Sequence, residues 1–483
     1  MAATQNPHVV LLACPGAGHV LPVIEFARRL TEHHGFTATI ITYTNLSSSG
    51  VSSSSSSLGS LPSSSISVAT IPAVPLDDLP ADVRIETRII TVVRRALPHV
   101  RTLLAALISE RGDDVVAFAV DMFCSWVLPV AAELGVPKYI FFLPTLMALA
   151  FMLHLPELDA ATTCEYRDLP EPVRLPGCMP LRGVDLFDTV QDRSNQAYGL
   201  MVEMARHHHL ADGFLVNTFH AMEHDTISAF RELSSKGVYP PVYPVGPFFR
   251  ACSGEAAEHR CIRWLDDQPA GSVLYVCFGS GGALSVNQTA ELAAGLEASG
   301  QRFLWVVHLP SDKDSSAGYF SSDGHDQDPL SNLPEGFLNR NQGTTGLAVP
   351  TWAPQVEILN HPAVGGFLSH CGWNSTLESV AAGVPTVAWP LFAEQRMNAV
   401  MLEERLGMAL RPKAREDGVV TREEVAAVVL ELMVGEKGAS VRSKTKELQM
   451  ASATAWTPGG PSCKALEAII GKWKGGTDSV VNN

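Results

Sequence analysis

Between residues 352 and 395 the chain sets out, in order, an aromatic ring (Trp352), an amide (Gln355), a histidine with small polar groups behind it (His370, Gly372, Trp373, Asn374, Ser375), a carboxylate (Glu378) and an acid-amide pair (Glu394, Gln395). An indole face can stack on a base for about 1–3 kcal/mol. Residues 364–369 read as an apolar strand, Gly372 lets the chain turn, and a helix is expected from 373 or 374 to 382. Its first turn offers N–H groups and a positive dipole end to an anion, with His370, Asn374 and Ser375 adding side-chain donors. Carboxylate and amide oxygens accept from hydroxyls. One elongated ligand uses these contacts in that order: a base, a diphosphate and a sugar, which together make a nucleotide sugar. The plainer readings are a core tryptophan at 352, a satisfied mid-helix acid at 378 and an exposed pair at 394 and 395.

A second constellation stands near the start. An apolar run, residues 8–13, leads into Cys14-Pro15-Gly16-Ala17-Gly18-His19. His19 is thereby placed at the carboxyl end of a strand and the opening of a helix, where α/β folds bind ligands. The positive helix end opposes protonation and favours an imidazole able to accept a proton. Asp121 follows another apolar strand, 117–120, and reaches the same sheet edge; a carboxylate on one ring nitrogen would fix the tautomer and stabilise the imidazolium that forms. A lone histidine at a helix start is usually a cap, but Gly16, Gly18 and Asp121 favour a general base. Phe278-Gly279-Ser280-Gly281-Gly282 also follows an expected strand, 272–278; its glycines allow close approach of a phosphate, and Ser280 offers a hydroxyl.

Three features point elsewhere. Cys371 has no evident base and reads as a small buried thiol rather than a nucleophile. Asp312-Lys313-Asp314 and Asp326-Gln327-Asp328 have the spacing of metal-binding acids, yet both lie in the Ser, Asp and Gly-rich stretch 310–332 and are expected to be solvated loop charges. His207-His208-His209 reads as an exposed helix turn, because consecutive helical residues do not face one ion. No metal is expected.

These groups need a scaffold. Short apolar runs rich in branched residues alternate with helical patterns such as 21–31, so the fold class is α/β with doubly wound parallel sheets. At 483 residues the chain exceeds the roughly 250–300 at which one core stops growing, and two domains are expected. The alternation restarts after the proline-rich stretch 239–247, expected as an extended linker because proline cannot donate to a ladder. Strand 272–278, helix 288–299 and strand 302–307 open the second half. The expected division is 1–245, 246–460, and a terminal segment 461–483 whose helix, 462–473, packs back on the first domain; two similar halves facing a cleft are implied. Thirteen of the nineteen residues in 47–65 are serine, too few apolar groups to offset chain entropy, so a mobile surface loop is expected there. The stretch 310–332 forms a second long loop.

Composition narrows the partners. Hydrophobic residues at 46% and charged residues at 18% describe a soluble globular protein. A net charge of −15 from scattered acids disfavours nucleic acid and anionic membrane. Nine cysteines, odd in number and without a Cys-x-x-Cys pair, fit free thiols in a reducing compartment. The apolar run at 9–13 is too short for a secretory signal, and the run 139–153, interrupted by Pro144, falls short of the roughly 20 residues of a membrane span. The expectation is a cytoplasmic monomer with no integral membrane contact.

The order Trp352-Ala353-Pro354-Gln355, then His370-Cys371-Gly372-Trp373-Asn374-Ser375, then Glu394-Gln395 resembles the signature of plant secondary-product UDP-glycosyltransferases, and the likeness extends over nearly the whole chain. Residues 78–88 and 393–400 are similar to the arbutin synthase-like subgroup that glucosylates hydroquinone, monolignols and related phenols. The resemblance implies a GT-B fold, two Rossmann-like doubly wound domains facing a cleft. It implies UDP-glucose as donor co-substrate, a small phenolic acceptor, and no cofactor or metal. His19 would remove the acceptor proton, with Asp121 as its partner, and UDP would leave with inversion at the anomeric carbon. On the donor side the resemblance nominates Ser280, Trp352, Ala353, Gln355, His370, Gly372, Trp373, Asn374, Ser375, Glu378, Glu394 and Gln395, with Gln355 and Glu378 on the ribose and Glu394 and Gln395 on the hexose. Gln395 leans toward glucose. On the acceptor side it places Ala17, Ile85, Glu86, Met122, Phe123 and Leu146. The chain departs from the subgroup at Cys124-Ser125-Trp126, usually Gly-Thr-Asp, at Ala17, commonly methionine, and at His308-Leu309-Pro310, usually Arg-Ser-Pro.

Transfer to carbon, nitrogen or sulfur is the alternative within the family. A nicotinamide-dependent oxidoreductase is suggested by Gly16-Ala17-Gly18, but Leu21 stands where the third fingerprint glycine belongs and no acid ends the strand 39–42. A non-catalytic nucleotide-sugar binder would need neither His19 nor Asp121.

Overall fold

The structure, a computed structural model, describes residues 6–45, 65–80, 82–249, 258–318 and 327–475. Two compact units divide the chain, one comprising residues 1–249 and 454–483, the other 250–453. The expectation of a mobile serine-rich loop falls almost wholly on 46–64, and Asp326 on 319–326, both outside the described residues.

In the first unit the branched and aromatic runs become β1 (His8–Leu12), β2 (Thr37–Tyr43), β3 (Ile66–Ile71), β4 (Val115–Asp121), β5 (Lys138–Phe142), β6 (Gly213–Val216) and β7 (Val242–Pro244). They form one sheet in the order β3-β2-β1-β4-β5-β6-β7, with all neighbours parallel. The chain winds outward from β1 through β2 and β3, then crosses back to β4, so the winding reverses between β1 and β4. Leu12 lies level with Val120 there. Loops leaving the carboxyl ends of these two strands part in opposite directions and leave a crevice, the usual ligand position in such sheets. The stretch expected as a linker holds β7 instead. Its Pro244 is tolerated because β7 is the sheet edge, where a missing N–H breaks no ladder.

The second unit repeats the pattern with β8 (Val273–Cys277), β9 (Arg302–Val307), β10 (Gly346–Pro350), β11 (Val364–Ser369), β12 (Thr386–Ala388) and β13 (Ala409–Leu410), in the order β10-β9-β8-β11-β12-β13. Its winding reverses between β8 and β11, where Cys277 lies level with Ser369. Alternate residues of β8 enter different cores: Leu274 and Val276 pack with Leu292 and Val425, while Val273 and Tyr275 pack with Ile358 and Phe367. Burial on both faces explains why these strands read as continuous apolar runs.

The terminal helix Pro461–Trp473 supplies Leu466, Ile469, Ile470 and Trp473 to the core around β1, and Trp473 meets Phe36 and Tyr139 edge-on. No helix among the described residues is long and apolar enough to cross a membrane. One expectation is corrected: the histidine turn is not uniformly exposed. His208 ends the helix Gln196–His208, is fully buried, and its Nε2 lies 3.1 Å from the Met122 carbonyl oxygen. Burial lowers its pKa to about 4, so the neutral ring serves as a core donor.

Candidate active site

Nominated residues gather at the winding reversal of each sheet. In the first unit Gly16, at φ 113°, turns the chain off β1 and into the helix Ala17–His34, whose first turn holds His19. Asp121 ends β4. His19 Nδ1 and Asp121 Oδ2 lie 2.7 Å apart, and the carboxylate is completely buried. Its second oxygen accepts the Phe123 N–H at 2.9 Å, so both oxygens are held. An ionised carboxylate only accepts, which assigns the ring proton to Nδ1 and the basic lone pair of the neutral ring to Nε2. The His19 side chain retains 17% exposure, and the Phe123 ring lies 5.6 Å from it, tilted by 58°.

The other nominated acceptor residues spread over several elements. Ala17 is the first residue of the His19 helix. Met122, buried, and Phe123, half-buried, follow Asp121 directly. Half-buried Ile85 and buried Glu86 open the helix Ile85–Arg111, and buried Leu146 opens Leu146–Ala161. The departure at Cys124-Ser125-Trp126 turns inward: all three side chains are buried, and Trp126 donates its Nε1–H to Glu203 at 3.1 Å. Glu223 was not foreseen. It is 4% exposed and accepts the N–H groups of Leu146 and Met147, both at 2.8 Å, seating a carboxylate on that helix start while burial pushes its carboxyl upward. Some seventy-seven positions separate Glu223 from Leu146, and nothing local marks the pairing.

In the second unit the turn after β8 holds Gly279 to Gly282 and the turn after β11 holds His370 to Gly372. His370 is wedged between them. A Cβ on Gly279 would stand 2.5 Å from His370 Nε2, and one on Gly372 2.4 Å from the same atom, so only glycine fits on either side of the ring. Burial, with His308 nearby, lowers the His370 pKa to about 4, and its Nδ1 is buried without a hydrogen-bond partner among the described residues. Gly372 starts the helix Trp373–Ala382, which carries Asn374, Ser375 and Glu378. Gln355 donates to Glu378 at 2.7 Å and to Ser375 at 2.9 Å, joining three nominated residues in one network. Ala353 is buried beside it and Ser280 is exposed.

Trp352 is 53% exposed, which removes the core-tryptophan reading. Gln395 is 3% exposed, which removes the reading of an exposed pair; its carbonyl oxygen accepts from Leu391 and Phe392 N–H at 2.9 and 3.0 Å. Asn398, fully buried and also unforeseen, donates to the Cys371 carbonyl at 2.9 Å and to Glu394 at 3.2 Å. That bond ties the histidine turn to the acid-amide pair. Among the described residues three non-glycine positions have positive φ: Thr351, Cys371 and Ala393. Each adjoins a nominated ligand residue, and each holds about 1–3 kcal/mol of strain. His308 explains one. Its ring nitrogens lie 2.8 Å from the Gly282 carbonyl oxygen and 3.0 Å from that of Thr351, bridging the glycine turn to the residue before Trp352.

Burial pushes the Cys371 thiol up to about 12, as expected of an inert sulfur. Asp314 accepts from Ser316 N–H and Asp328 from Leu330 N–H, capping local turns, while Asp312 accepts the Val286 N–H at the start of the helix Val286–Ser299; all three acids are exposed.

Residues 250–437 match the family model for UDP-glucoronosyl and UDP-glucosyl transferase. A hydroquinone glucosyltransferase of Rauvolfia serpentina is 48% identical over 97% of this chain and 98% of its own length. Among solved structures, UGT2 of Phytolacca americana, complexed with UDP-2fluoro-glucose and pterostilbene, superposes with a TM-score of 0.87 at 42% identity, covering 98% of this chain and 100% of that one. A UDP-glucosyltransferase from Polygonum tinctorium capable of glucosylating indoxyl, in complex with 3,4-dichloroaniline, gives a TM-score of 0.88 at 45% identity with 98% and 100% coverage.

Proposed function

Because the chain belongs to the UDP-glucoronosyl and UDP-glucosyl transferase family, with the GT-B fold and plant-type glycosyltransferase activity that its relatives share, we propose that it transfers glucose from UDP-glucose to the hydroxyl of a small phenol, inverting the anomeric carbon. The observation that carries this reading is the His19–Asp121 pair, whose geometry leaves Nε2 as the basic atom. Nε2 takes the proton of the acceptor hydroxyl as the oxygen bonds to C1. The bond from C1 to the diphosphate oxygen breaks with its electron pair, and UDP departs from the opposite face. Buried Asp121 stabilises the imidazolium that results.

On the donor side, uracil stacks on Trp352, and Gln355 and Glu378 take the ribose hydroxyls. The diphosphate meets the first turn of Trp373–Ala382 with His370, Asn374 and Ser375 beside it, where the helix dipole stabilises the leaving charge without a metal. Glu394 and Gln395 hold the glucose. The acceptor lies among Ala17, Ile85, Glu86, Met122, Phe123 and Leu146. Hydroquinone and pterostilbene, named with two of the relatives, are phenols, which supports that acceptor class. The eight free thiols among the described residues suit a reducing compartment such as the cytoplasm. A second reading, transfer to an aromatic amine, draws on the dichloroaniline complex.

The test is product formation by mass spectrometry across phenols, anilines and several UDP-sugars in EDTA, comparing the wild type with His19→Ala. Glucosylation of phenols that collapses in the mutant supports the reading. Undiminished turnover of weakly acidic alcohols by His19→Ala would remove His19 as the base.

A further inference from the structure

Beside the histidine-aspartate pair lies a group for which the transfer reaction has no use. Cys14 follows β1, is fully buried, and its sulfur, a His19 ring nitrogen and an Asp121 oxygen all lie within 4.8 Å of one another. Here thiol, imidazole and carboxylate converge from the ends of two adjacent strands. We propose that Cys14, His19 and Asp121 form an inhibitory site for a soft divalent cation of the zinc type. The inhibitory part rests on His19 being the base, as proposed above; the binding part does not.

The distances are close to those a tetrahedral site requires. Zinc bonds of about 2.3 Å to sulfur and about 2.0–2.1 Å to nitrogen and oxygen place ligand atoms roughly 3.3–3.6 Å apart. The nitrogen–oxygen pair, now at 2.7 Å, opens by about 0.6 Å. The sulfur, whose spacing to the other two ligand atoms should be about 3.6 Å, closes by about 1.2 Å at most, from no more than 4.8 Å. Three protein ligands leave a fourth position for water, and the thiolate favours zinc, cadmium or cobalt over magnesium or calcium.

Binding would disable the base through its tautomer. The metal replaces the proton on Nδ1, and a neutral ring metallated at Nδ1 carries its proton on Nε2. The proton therefore relocates from Nδ1 to Nε2 through solvent, the thiol proton is released, and one proton leaves per metal bound. Nε2 then has no lone pair to accept the acceptor's proton.

The experiment uses the full chain without an affinity tag. Zinc is expected to suppress glucosylation of a phenol, a chelator to restore it, and magnesium to leave it unchanged. Cobalt should bind one per chain with a sulfur-to-metal charge-transfer band. Cys14→Ser should keep the metal-free rate, lose the band, and need at least ~10–100-fold more zinc for half-inhibition, the range that even outer partners command at metal sites. Cys124→Ser, altering the buried thiol beside Cys14, should retain both the band and the inhibition. Inhibition of Cys14→Ser at the wild-type zinc concentration, or no sulfur band in the wild type, would overturn the proposal. Should the chain glucosylate nothing, the cobalt band alone decides whether the site exists, so the two readings fail separately.

Discussion

Replacing Asp121 by asparagine separates its charge from its shape. The side chain keeps its volume in a fully buried position, and its oxygen can still accept the Phe123 N–H now bound at 2.9 Å. That orientation points the new NH2 at His19 Nδ1, which must then accept. The ring adopts the tautomer protonated at Nε2 and cannot take the acceptor's proton. The flipped amide would instead set NH2 against the Phe123 N–H, leaving a buried donor unpaired at about 1–3 kcal/mol. The lost charge adds to this: with charge centres about 4 Å apart, at an effective dielectric near 20, carboxylate and imidazolium attract by about 4 kcal/mol. At about 1.4 kcal/mol per power of ten, kcat/KM for a weakly acidic alcohol should fall by roughly 10³–10⁵-fold. An acidic phenol, already partly ionised, should lose much less. The assay is initial-rate chromatography of the glucoside at saturating UDP-glucose over an acceptor series of graded acidity, with thermal melting to verify folding. An equal loss for every acceptor, or a loss under about tenfold for the weakest acid, would show that Asp121 does not act through the tautomer and charge of His19.

Three further outcomes are expected. Trp352→Ala should weaken UDP binding by roughly 5- to 150-fold, the equivalent of about 1–3 kcal/mol of stacking, and leave the melting temperature nearly unchanged because the side chain is 53% exposed; calorimetric titration with UDP reads the first and a thermal scan the second. Gly372→Ala, whose Cβ would press to 2.4 Å on His370 Nε2, should displace that ring, cost about 1–3 kcal/mol of stability and lower UDP affinity at least tenfold, as denaturant unfolding and titration would show. His208, lowered to about 4 from 6.5, refuses a proton that the unfolded chain accepts between those values. Stability should therefore be complete above about pH 6.5 and fall as the pH drops, by up to about 3 kcal/mol near pH 4; His208→Gln should flatten that part of a urea-derived stability profile.

The strand–turn–helix corners that hold His19 and His370 were legible because their signals are local. A branched run followed by Gly16-Ala17-Gly18-His19, or by His370-Cys371-Gly372, declares a strand end, a turn and a helix start without reference to the rest of the chain. Strand 302–307 was read to the residue for the same reason. What stayed hidden depends on distant partners. His208 sits in a polar-looking run, and only the helix's packing turns its ring toward the Met122 carbonyl. Glu223 and Asn398 are an acid and an amide among many until the fold brings a helix start or the Cys371 carbonyl to them. The positive φ values of Thr351, Cys371 and Ala393 occur at residue types that do not advertise them. β7 was taken for a linker because proline argues against a ladder, an argument that fails at a sheet edge.

In the proposed reaction His19 addresses the acceptor hydroxyl while Trp352 receives the uracil. A crystal structure with a non-transferable fluorinated UDP-glucose and a phenol tests it most directly. The phenol oxygen is expected within about 2.6–3.2 Å of His19 Nε2 and the uracil ring flat on the indole. A phenol bound out of reach of His19, or a uracil stacked away from Trp352, would contradict it.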